Sequence, residues 1–191
     1  RAGRAQQEAA AHAARAEYLA NTDPLTGLAN RRPITARLDE LSTVGGYCVA
    51  IADLDRFKQL NDVHGHACGD RVLAALGDRL RDRLRTTDAL GRWGGEEFIF
   101  VLSATTIGDA RTMMGRMRSL VADEPVACAD HTHEVSVSIG VADGAADGMG
   151  HRVVKRADDA LYDAKLAGRN RVEARALADE RSRGDLDARR G

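Results

Sequence analysis

The chain lacks several features that would place it in a particular class of protein. It has only three cysteines, Cys48, Cys68 and Cys128, and their spacing matches no metal-binding pattern. Cys48 lies in a run typical of a buried strand, which favours a reduced core thiol over a disulfide. The formal net charge is -1, so the strongly basic face of a general nucleic-acid-binding protein is not expected.

Long apolar runs and targeting segments are also missing. No stretch approaches the roughly 20 apolar residues that span a bilayer, and the N-terminus has no signal-peptide pattern. We therefore expect a soluble, cytoplasmic protein without direct membrane contact. The first residue is arginine rather than methionine, which indicates a fragment whose upstream part is missing. No Gly-x-x-x-x-Gly-Lys-Ser/Thr loop is present, so an ATPase-like phosphate-binding loop is excluded.

Composition divides the 191 residues into three parts. Residues 1–22 are rich in Ala, Arg, Gln and Glu and predict a helix. A coiled-coil signalling linker is one interpretation of this helix, and a solvated Ala-rich helix is the alternative. The heptad-spaced positions are Ala2, Ala5, Ala9, His12, Ala16 and Leu19. Residues 23–174 form the main domain, and residues 175–191 predict a charged, flexible tail.

Hydrophobic periodicity predicts a mixed α/β (α+β) domain in the middle part. Helices are expected at residues 31–41, 57–63, 70–84, 107–122 and 153–167. Strands are expected at residues 47–53, 133–142 and 171–174, and a β-hairpin is expected from strands at 89–93 and 98–102. The methionines of the 107–122 helix are expected to fill the core.

The predicted hairpin carries Gly94-Gly95-Glu96-Glu97 at its turn. Glycine has no Cβ, so the backbone can turn sharply there and approach a ligand. Another acid, Asp53, ends the buried strand at residues 47–53. If the two strands are neighbours, Asp53 and Glu96 suit Mg²⁺, which takes one or two carboxylates and completes its shell with phosphates and water. An ordinary acidic turn is the alternative reading of the motif.

Six ordered blocks between about residues 23 and 172 closely resemble the GGDEF family of diguanylate cyclases. They read DPLTGLANRR from Asp23, DLDRFKQLND from Asp53, GHACGD from Gly65, GGEEF from Gly94, SIGVA from Ser138 and ADDALYDAK from Ala157, the last followed by Gly168-Arg169-Asn170. The resemblance implies a central, mostly antiparallel five-stranded sheet surrounded by helices, as in nucleotide cyclases and polymerase palms. It also implies condensation of two GTP into cyclic di-GMP and pyrophosphate.

The resemblance further implies a metal and catalytic set. Asp53 and Glu96 would be side-chain ligands, and the Leu54 carbonyl a backbone ligand, of two Mg²⁺ or Mn²⁺ ions per active site. Glu96 would also accept the proton of the attacking hydroxyl, directly or through water. Lys58 would place a positive charge on the transferring phosphates, and Glu97 is a second catalytic carboxylate with a less defined role.

The implied substrate-binding set lies in the same blocks. It comprises Arg56, Phe57, Lys58, Asn61, Asp70, Gly94, Gly95, Lys165 and Arg169. Asn61 and Asp70 are expected to select guanine, because a carboxylate accepts from two donors that adenine cannot both supply. The alternatives are a helix C-cap for Asn61 and a helix N-cap for Asp70. Lys165 and Arg169 are expected on the γ-phosphate, with a solvated helix end as the alternative. We interpret Asp55 as a helix N-cap.

The motif Arg85-Thr86-Thr87-Asp88 falls where the family has its inhibitory Arg-x-x-Asp site, and Arg116 falls where relatives have a second inhibitory arginine. An arginine can bind guanine edges and phosphates in a fork, which suits binding of the product cyclic di-GMP. A surface ion pair is the alternative for the motif.

The resemblance also implies a homodimer, since each domain holds one GTP, and an upstream sensor domain on a longer chain. Two other functions remain open. One is a catalytically inactive receptor that binds cyclic di-GMP through Arg85 and Asp88. The other is a purely structural dimerisation domain, which leaves the acidic turn unexplained.

Overall fold

A computed structural model describes residues 2–128 and 131–177, except for the side chains of residues 2–5, 8 and 9. These residues form six helices and seven strands. The helices are α1 Ala2–Asn21, α2 Arg31–Val44, α3 Phe57–His64, α4 His66–Arg81, α5 Ile107–Asp123 and α6 Gly150–Leu166. The strands are β1 Tyr47–Leu54, β2 Ala89–Arg92, β3 Glu97–Ser103, β4 Val126–Cys128, β5 His131–His133, β6 Val137–Gly144 and β7 Val172–Arg175.

Five of the strands form one sheet in the order β2-β3-β1-β6-β7. All neighbours are antiparallel except β6 and β7, which are parallel. The predicted five-stranded, mostly antiparallel sheet is therefore confirmed. Strands β4 and β5 form a separate antiparallel pair, which the sequence did not predict.

Helices cover both faces of the large sheet, so every residue of β1 is buried. On one face, Ala50 and Ala52 pack with α4 and α5, where Met114 and Met117 fill the core as predicted. On the other face, alternate residues of β1 pack with α2 and α6. A strand buried on both faces reads as a continuous apolar run, which is why β1 was recognisable from the sequence.

Two predicted boundaries were wrong. The expected strand at 133–142 is interrupted after β5, and the chain re-enters the large sheet at Val137. The expected helix at 70–84 begins at His66, directly after Gly65, whose φ of 81° ends α3. A left-handed glycine between two helices ends one and allows the next to start at a new angle.

The N-terminal helix is present as predicted, and it projects its described side chains into solvent. Tyr18 and Leu19 are 59% and 57% exposed. Of the heptad-spaced positions, the first three have side chains outside the described set, and the others are exposed. At the C-terminus, β7 includes Arg175, and most of the predicted tail, residues 178–191, lies outside the described residues. Within the described part of the chain, no helix is long and apolar enough to cross a bilayer.

Candidate active site

The end of β1 brings the predicted acids together. Asp53 is 6% exposed, and its Cα is paired with that of Glu97 on β3. Directly opposed residues of an antiparallel pair point to the same face, so both side chains lie on the α6 side of the sheet. The Leu54 amide donates a hydrogen bond to the carbonyl of Glu96, 3.3 Å away. Strand β1, which carries Asp53, and strand β3, which Glu96 directly precedes, are therefore neighbours, as a shared metal requires.

Negative charge exceeds positive charge at this end of the sheet, the acidic edge, which comprises Asp53, Glu96, Glu97 and Lys165. Burial is the main cause that raises the pKa of Asp53, and the nearby Lys165 ammonium acts in the opposite direction. Burial also raises the pKa of Glu96 and of Glu97, and the negative charge of Asp53 adds to both shifts. Crowded carboxylates with raised pKa values favour the arrival of a cation or of protons.

Lys165 already occupies part of this acidic edge. Its Nζ lies 2.9 Å from Asp53 Oδ2. Its predicted partner was a γ-phosphate, whereas in the structure the ammonium pairs with a predicted metal ligand. Arg169 lies beyond the helix that carries Lys165, because α6 ends at Leu166 and Arg169 has a φ of 66°. Arg169 nevertheless lies near enough to Asp53 to lower its pKa slightly.

A divalent metal fits this donor set. The carboxylates of Asp53 and Glu96 and the Leu54 carbonyl offer only oxygen atoms, which suits hard cations such as Mg²⁺ or Mn²⁺. The excess of negative charge beside a single ammonium supplies the electrostatic reason for a cation to bind.

Asn61 provides a second observation that points to a ligand. Its Oδ1 is buried and has no hydrogen-bond partner among the described residues. A buried acceptor without a partner is costly unless a ligand supplies the donor. The neighbouring Gly69 allows this close approach, since a Cβ there would lie 1.9 Å from Asn61 Oδ1 and 2.9 Å from the Phe57 ring. Asn61 therefore lies between α3 and α4, with an amide oxygen that lacks a donor among the described residues.

The helix-cap alternatives for the base-selecting pair are wrong. The C-cap of α3 is Gly65, so the side chain of Asn61 does not cap that helix. Asp70 lies in the second turn of α4 rather than before its first, and it is exposed. Both residues remain free of the capping roles that a local interpretation would assign to them.

The start of α3 is open to an anion. Its N-cap residue, Arg56, has a φ of 58° and makes no side-chain capping hydrogen bond. Phe57 is buried in the core, and Lys58 is exposed. The first amides of a helix have no partner within the helix, so the uncapped amides at the start of α3 can donate hydrogen bonds to phosphate oxygens.

Asp55 has a different role from the predicted N-cap. Its carboxylate accepts hydrogen bonds of 2.6 Å from both Ser136 and Ser138 and of 3.0 Å from the Asn170 amide. The N-cap interpretation was wrong because the cap position belongs to Arg56. Asp55 instead ties the end of β1 to β6 and to the loop that carries Arg169. No local pattern shows this role, because its partners lie more than 80 residues away.

Arg92 was also missed, and it holds the hairpin tip. Its guanidinium donates a 2.7 Å hydrogen bond to the Gly95 carbonyl and lies 3.1 Å from Asp23. The turn at Asp23, which follows α1, is therefore linked directly to the tip that carries Glu96. Glycine is needed at position 94 for lack of space and not for its backbone conformation. The φ of Gly94 is not positive, but a Cβ there would lie 2.6 Å from a Glu97 carboxylate oxygen.

The predicted inhibitory residues lie away from this edge. Arg85 and Arg116 line one cavity of about 880 Å³ between α5 and the loop after α4. Asp88 lies on a smaller cavity of about 310 Å³, which Arg85 also borders. Asp88 additionally accepts a 3.2 Å hydrogen bond from the Ser103 amide. Arg85 thus links the two cavities, while Asp88 has a structural partner.

Comparison with known proteins gives the family. The family described as "Diguanylate cyclase, GGDEF domain" matches residues 20–171. Among curated relatives, the chain is 40% identical over 157 residues to diguanylate cyclase DgcP of Pseudomonas aeruginosa, covering 80% of this chain and 23% of that protein. It is 42% identical over 167 residues to response regulator PleD of Caulobacter vibrioides, covering 83% and 37%. The chain therefore spans well under half the length of these relatives.

Solved structures agree with the sequence relatives. The coiled coil and GGDEF domain of DgcB from Caulobacter crescentus, in complex with c-di-GMP, superposes with a TM-score of 0.85 at 28% identity, covering 91% of this chain and 95% of that one. Diguanylate cyclase SiaD from Pseudomonas aeruginosa, in complex with its activator SiaC, gives 0.80 at 36% identity, covering 91% and 69%. With the family match covering most of its length, the chain belongs to the GGDEF family of diguanylate cyclases.

Proposed function

We propose that this chain is an active, cytoplasmic diguanylate cyclase domain, which condenses two GTP into cyclic di-GMP and pyrophosphate. The observation that carries the proposal is the meeting of Asp53 and Glu96 at one end of the sheet. Burial raises the pKa of both carboxyl groups, and the charge of Asp53 raises that of Glu96 further. Sites built for chemistry hold ionisable groups in this unfavourable state more often than structural sites do.

The acidic edge would bind the metal and receive the proton. Asp53, Glu96 and the Leu54 carbonyl would hold two Mg²⁺ or Mn²⁺ ions, which neutralise phosphate charge when bound. Glu96 is the proposed acceptor of the proton from the attacking 3′-hydroxyl. A carboxylate whose pKa lies above its ordinary value is a better proton acceptor near neutral pH, which supports this role. Glu97 adds negative charge to the same edge.

The surrounding cations and amides would bind GTP phosphates. Lys165 can exchange its contact with Asp53 for a phosphate oxygen, since its side chain is only one-third exposed and already faces the site. Arg169, Lys58 and the amides of Arg56 and Phe57 border the same end of β1. Phosphoryl transfer depends mainly on such positioning and charge stabilisation.

Guanine would be selected between α3 and α4. Asn61 Oδ1 has no partner in the part of the chain that the structure describes and requires a donor, and the guanine amine would supply one. Asp70, on the first turns of α4, would accept from the remaining donors of the same base edge. Adenine has a different donor pattern there, so the proposed site would discriminate against ATP.

Catalysis would require two copies of the chain. Each copy has one such edge and therefore one GTP, and the new bonds join two nucleotides. The exposed side of α1, including Tyr18 and Leu19, supports a role for this helix in pairing two copies below an upstream sensor domain. Product feedback would act through Arg85, Asp88 and Arg116, whose cavities are separate from the acidic edge.

Incubation with GTP and Mg²⁺ tests the proposal directly. Cyclic di-GMP should form, should vanish with Glu96→Ala, and should persist with Asp78→Ala, which removes an exposed acid on α4. Tight binding of cyclic di-GMP without any turnover would instead support the receptor function. The rate per chain should rise with protein concentration and fall when residues 1–20 are removed. A rate that changes in neither case contradicts the dimer mechanism.

A further inference from the structure

A cluster of cysteine and histidine side chains lies outside the proposed active site. In the β4–β5 pair, Cys128 is opposite His131 and Val126 is opposite His133. Opposed and alternate residues share a face, so Cys128, His131 and His133 all point to one side of this pair. That side packs against the beginning of α4, where Cys68 is buried.

The fold joins residues that the sequence keeps far apart. Cys68 and Cys128 are 60 positions apart, yet their Cα atoms are 5.6 Å apart and the two sulfurs form a disulfide. The metal-binding atoms of Cys68, Cys128 and His133 all lie within 4.8 Å of one another. The absence of a metal-like spacing in the sequence was therefore misleading, because tertiary structure supplies the proximity.

Two further observations point to a ligand. The Nε2 atom of His133 is buried and has no hydrogen-bond partner among the described residues. The His64 ring, at the end of α3, lies beside it with the two ring centroids 4.2 Å apart, whereas the His131 ring is 6.4 Å from that of His133. Three potential ligands thus lie together, and of the two neighbouring histidines His64 has its ring nearer to that of His133.

We propose that the reduced chain binds one Zn²⁺ ion through Cys68, Cys128, His133 and His64. Two thiolates and two imidazoles in a tetrahedron are a common structural zinc set. Thiolate sulfur selects zinc over Mg²⁺, so this site and the oxygen-only edge at Asp53 would take different metals. In the zinc form the two sulfurs would separate to about 3.8 Å, as tetrahedral bonds of about 2.3 Å require.

The disulfide and the metal exclude each other, because only thiolates bind zinc. Oxidation by an azo compound such as diamide balances as follows. The two thiolates lose two electrons and form the S–S bond, and Zn²⁺ is released. The N=N bond takes up those two electrons and two protons to become a hydrazine. The disulfide in the structure therefore corresponds to the oxidised form, which cannot bind zinc through these two sulfurs.

The position of the site gives it a physical role that goes beyond the proposed function and does not depend on it. His64 and Cys68 flank Gly65, the junction between α3 and α4. Zinc would fasten this junction to the β4–β5 pair. Because a metal that binds only the folded state stabilises it by mass action, zinc should raise the unfolding temperature of the reduced chain.

Metal counting on the whole chain tests the site. The chain is reduced with a phosphine, loaded with ZnCl₂, freed of unbound metal by gel filtration and analysed by plasma mass spectrometry. An Asp53→Asn background removes zinc bound at the acidic edge. We expect about one zinc per chain, lost in Cys68→Ser, Cys128→Ser and His133→Ala. His151→Ala, an exposed histidine on α6, is the matched control and should keep the metal.

Diamide-treated chain of unchanged sequence provides a control that no folding defect can explain, and it should retain no zinc. Cobalt loading of the reduced chain should give a thiolate-to-metal charge-transfer band that Cys68→Ser removes. The proposal is overturned if the reduced chain retains no more zinc than the diamide-treated chain, or if cobalt shows no thiolate band. Loss of metal with His131→Ala but not with His64→Ala would overturn the assignment of the fourth ligand.

Discussion

Two acidic regions flank the hairpin tip, and they hold their carboxylates in opposite ways. At the turn after α1, Asp23 accepts hydrogen bonds from the amide and hydroxyl of Thr26 and pairs with Arg92. Burial acts to raise the pKa of Asp23, but these contacts together lower it. At the end of β1, burial raises the pKa of Asp53 despite Lys165, and Glu96 shifts the same way.

The opposite directions of the pKa shifts distinguish an acid that stabilises the fold from acids whose charge is unfavourable in the folded chain. Every hydrogen bond to Asp23 comes from the chain itself, so its charge is favourable in the folded state. The carboxylates at the edge repel one another and lack enough donors. Such strain is typical of functional sites, where stability is given up for binding or catalysis. The two regions are in contact through Arg92, which makes them a matched pair for mutation.

The largest difference should be in activity. Asp53→Asn keeps the size of the side chain and removes the charge that would hold the metal, so we expect cyclic di-GMP formation to fall more than about 100-fold. Asp23→Asn should lower the rate of cyclic di-GMP formation by less than about tenfold, because Asp23 acts only through Arg92 and the position of the hairpin tip. The measurement is the rate of cyclic di-GMP formation by each variant at saturating GTP and Mg²⁺. Equal losses in the two variants would contradict the division of roles.

Stability should rank the two regions in the reverse order. Asp23→Ala removes a charged acceptor of several hydrogen bonds and leaves Arg92 without its partner, so we expect the free energy of unfolding to fall by about 1–3 kcal/mol. Urea unfolding followed by circular dichroism measures this change. Thr22→Ala, at the neighbouring position outside the carboxylate network, is the control. A loss below that of Thr22→Ala would show that the Asp23 contacts contribute little.

The elements of the fold were more predictable from the sequence than the site was. Strand β1 and the β2–β3 hairpin follow from apolar runs and turn glycines, because local patterns determine them. The break between β5 and β6 was not visible, because Val135 within it and Val137 after it continue the apolar alternation. The start of α4 at His66 depends on the left-handed Gly65, and a glycine in the sequence does not reveal the sign of its φ.

The candidate site divides in the same way. Asp53 and Glu96 were named from the residue pattern and Asn61 from the resemblance. The sheet register pairs Asp53 with Glu97, which places Glu96 directly before β3 and beside the end of β1. Asp55 and Arg92 were misread or missed because their partners come from distant parts of the chain. From the sequence alone, a polar residue next to a helix is readily interpreted as a cap, as Asp55 was. Only the tertiary contacts show its actual partners.

A smaller change in stability should appear when one carboxylate of the acidic edge is neutralised in the absence of metal. Glu96→Gln removes a carboxylate whose charge is unfavourable in the folded chain, so in EDTA the variant should unfold at a higher temperature than the unmodified chain. The gain should be below about 1 kcal/mol, since the side chain is partly exposed and water screens its charge. Addition of Mg²⁺ should reverse the order, because only the unmodified chain retains the full ligand set. A variant that is less stable in EDTA would contradict the strain at this edge.

The smallest expected difference between the two regions is in how stability depends on pH. For Glu96 and Glu97 the folded-state pKa lies above the ordinary value, so the folded chain binds more protons than the unfolded chain between the two values. Their contribution to the free energy of unfolding is therefore lost as pH rises through that interval. For Asp23 the folded pKa is lowered, so its contribution is present above the ordinary carboxylate pKa and is lost as pH falls. Urea unfolding in EDTA across the acidic range should thus show a steeper rise of stability with pH in Glu96→Gln and a flatter one in Asp23→Asn. Parallel pH profiles for both variants would remove the physical basis of the comparison.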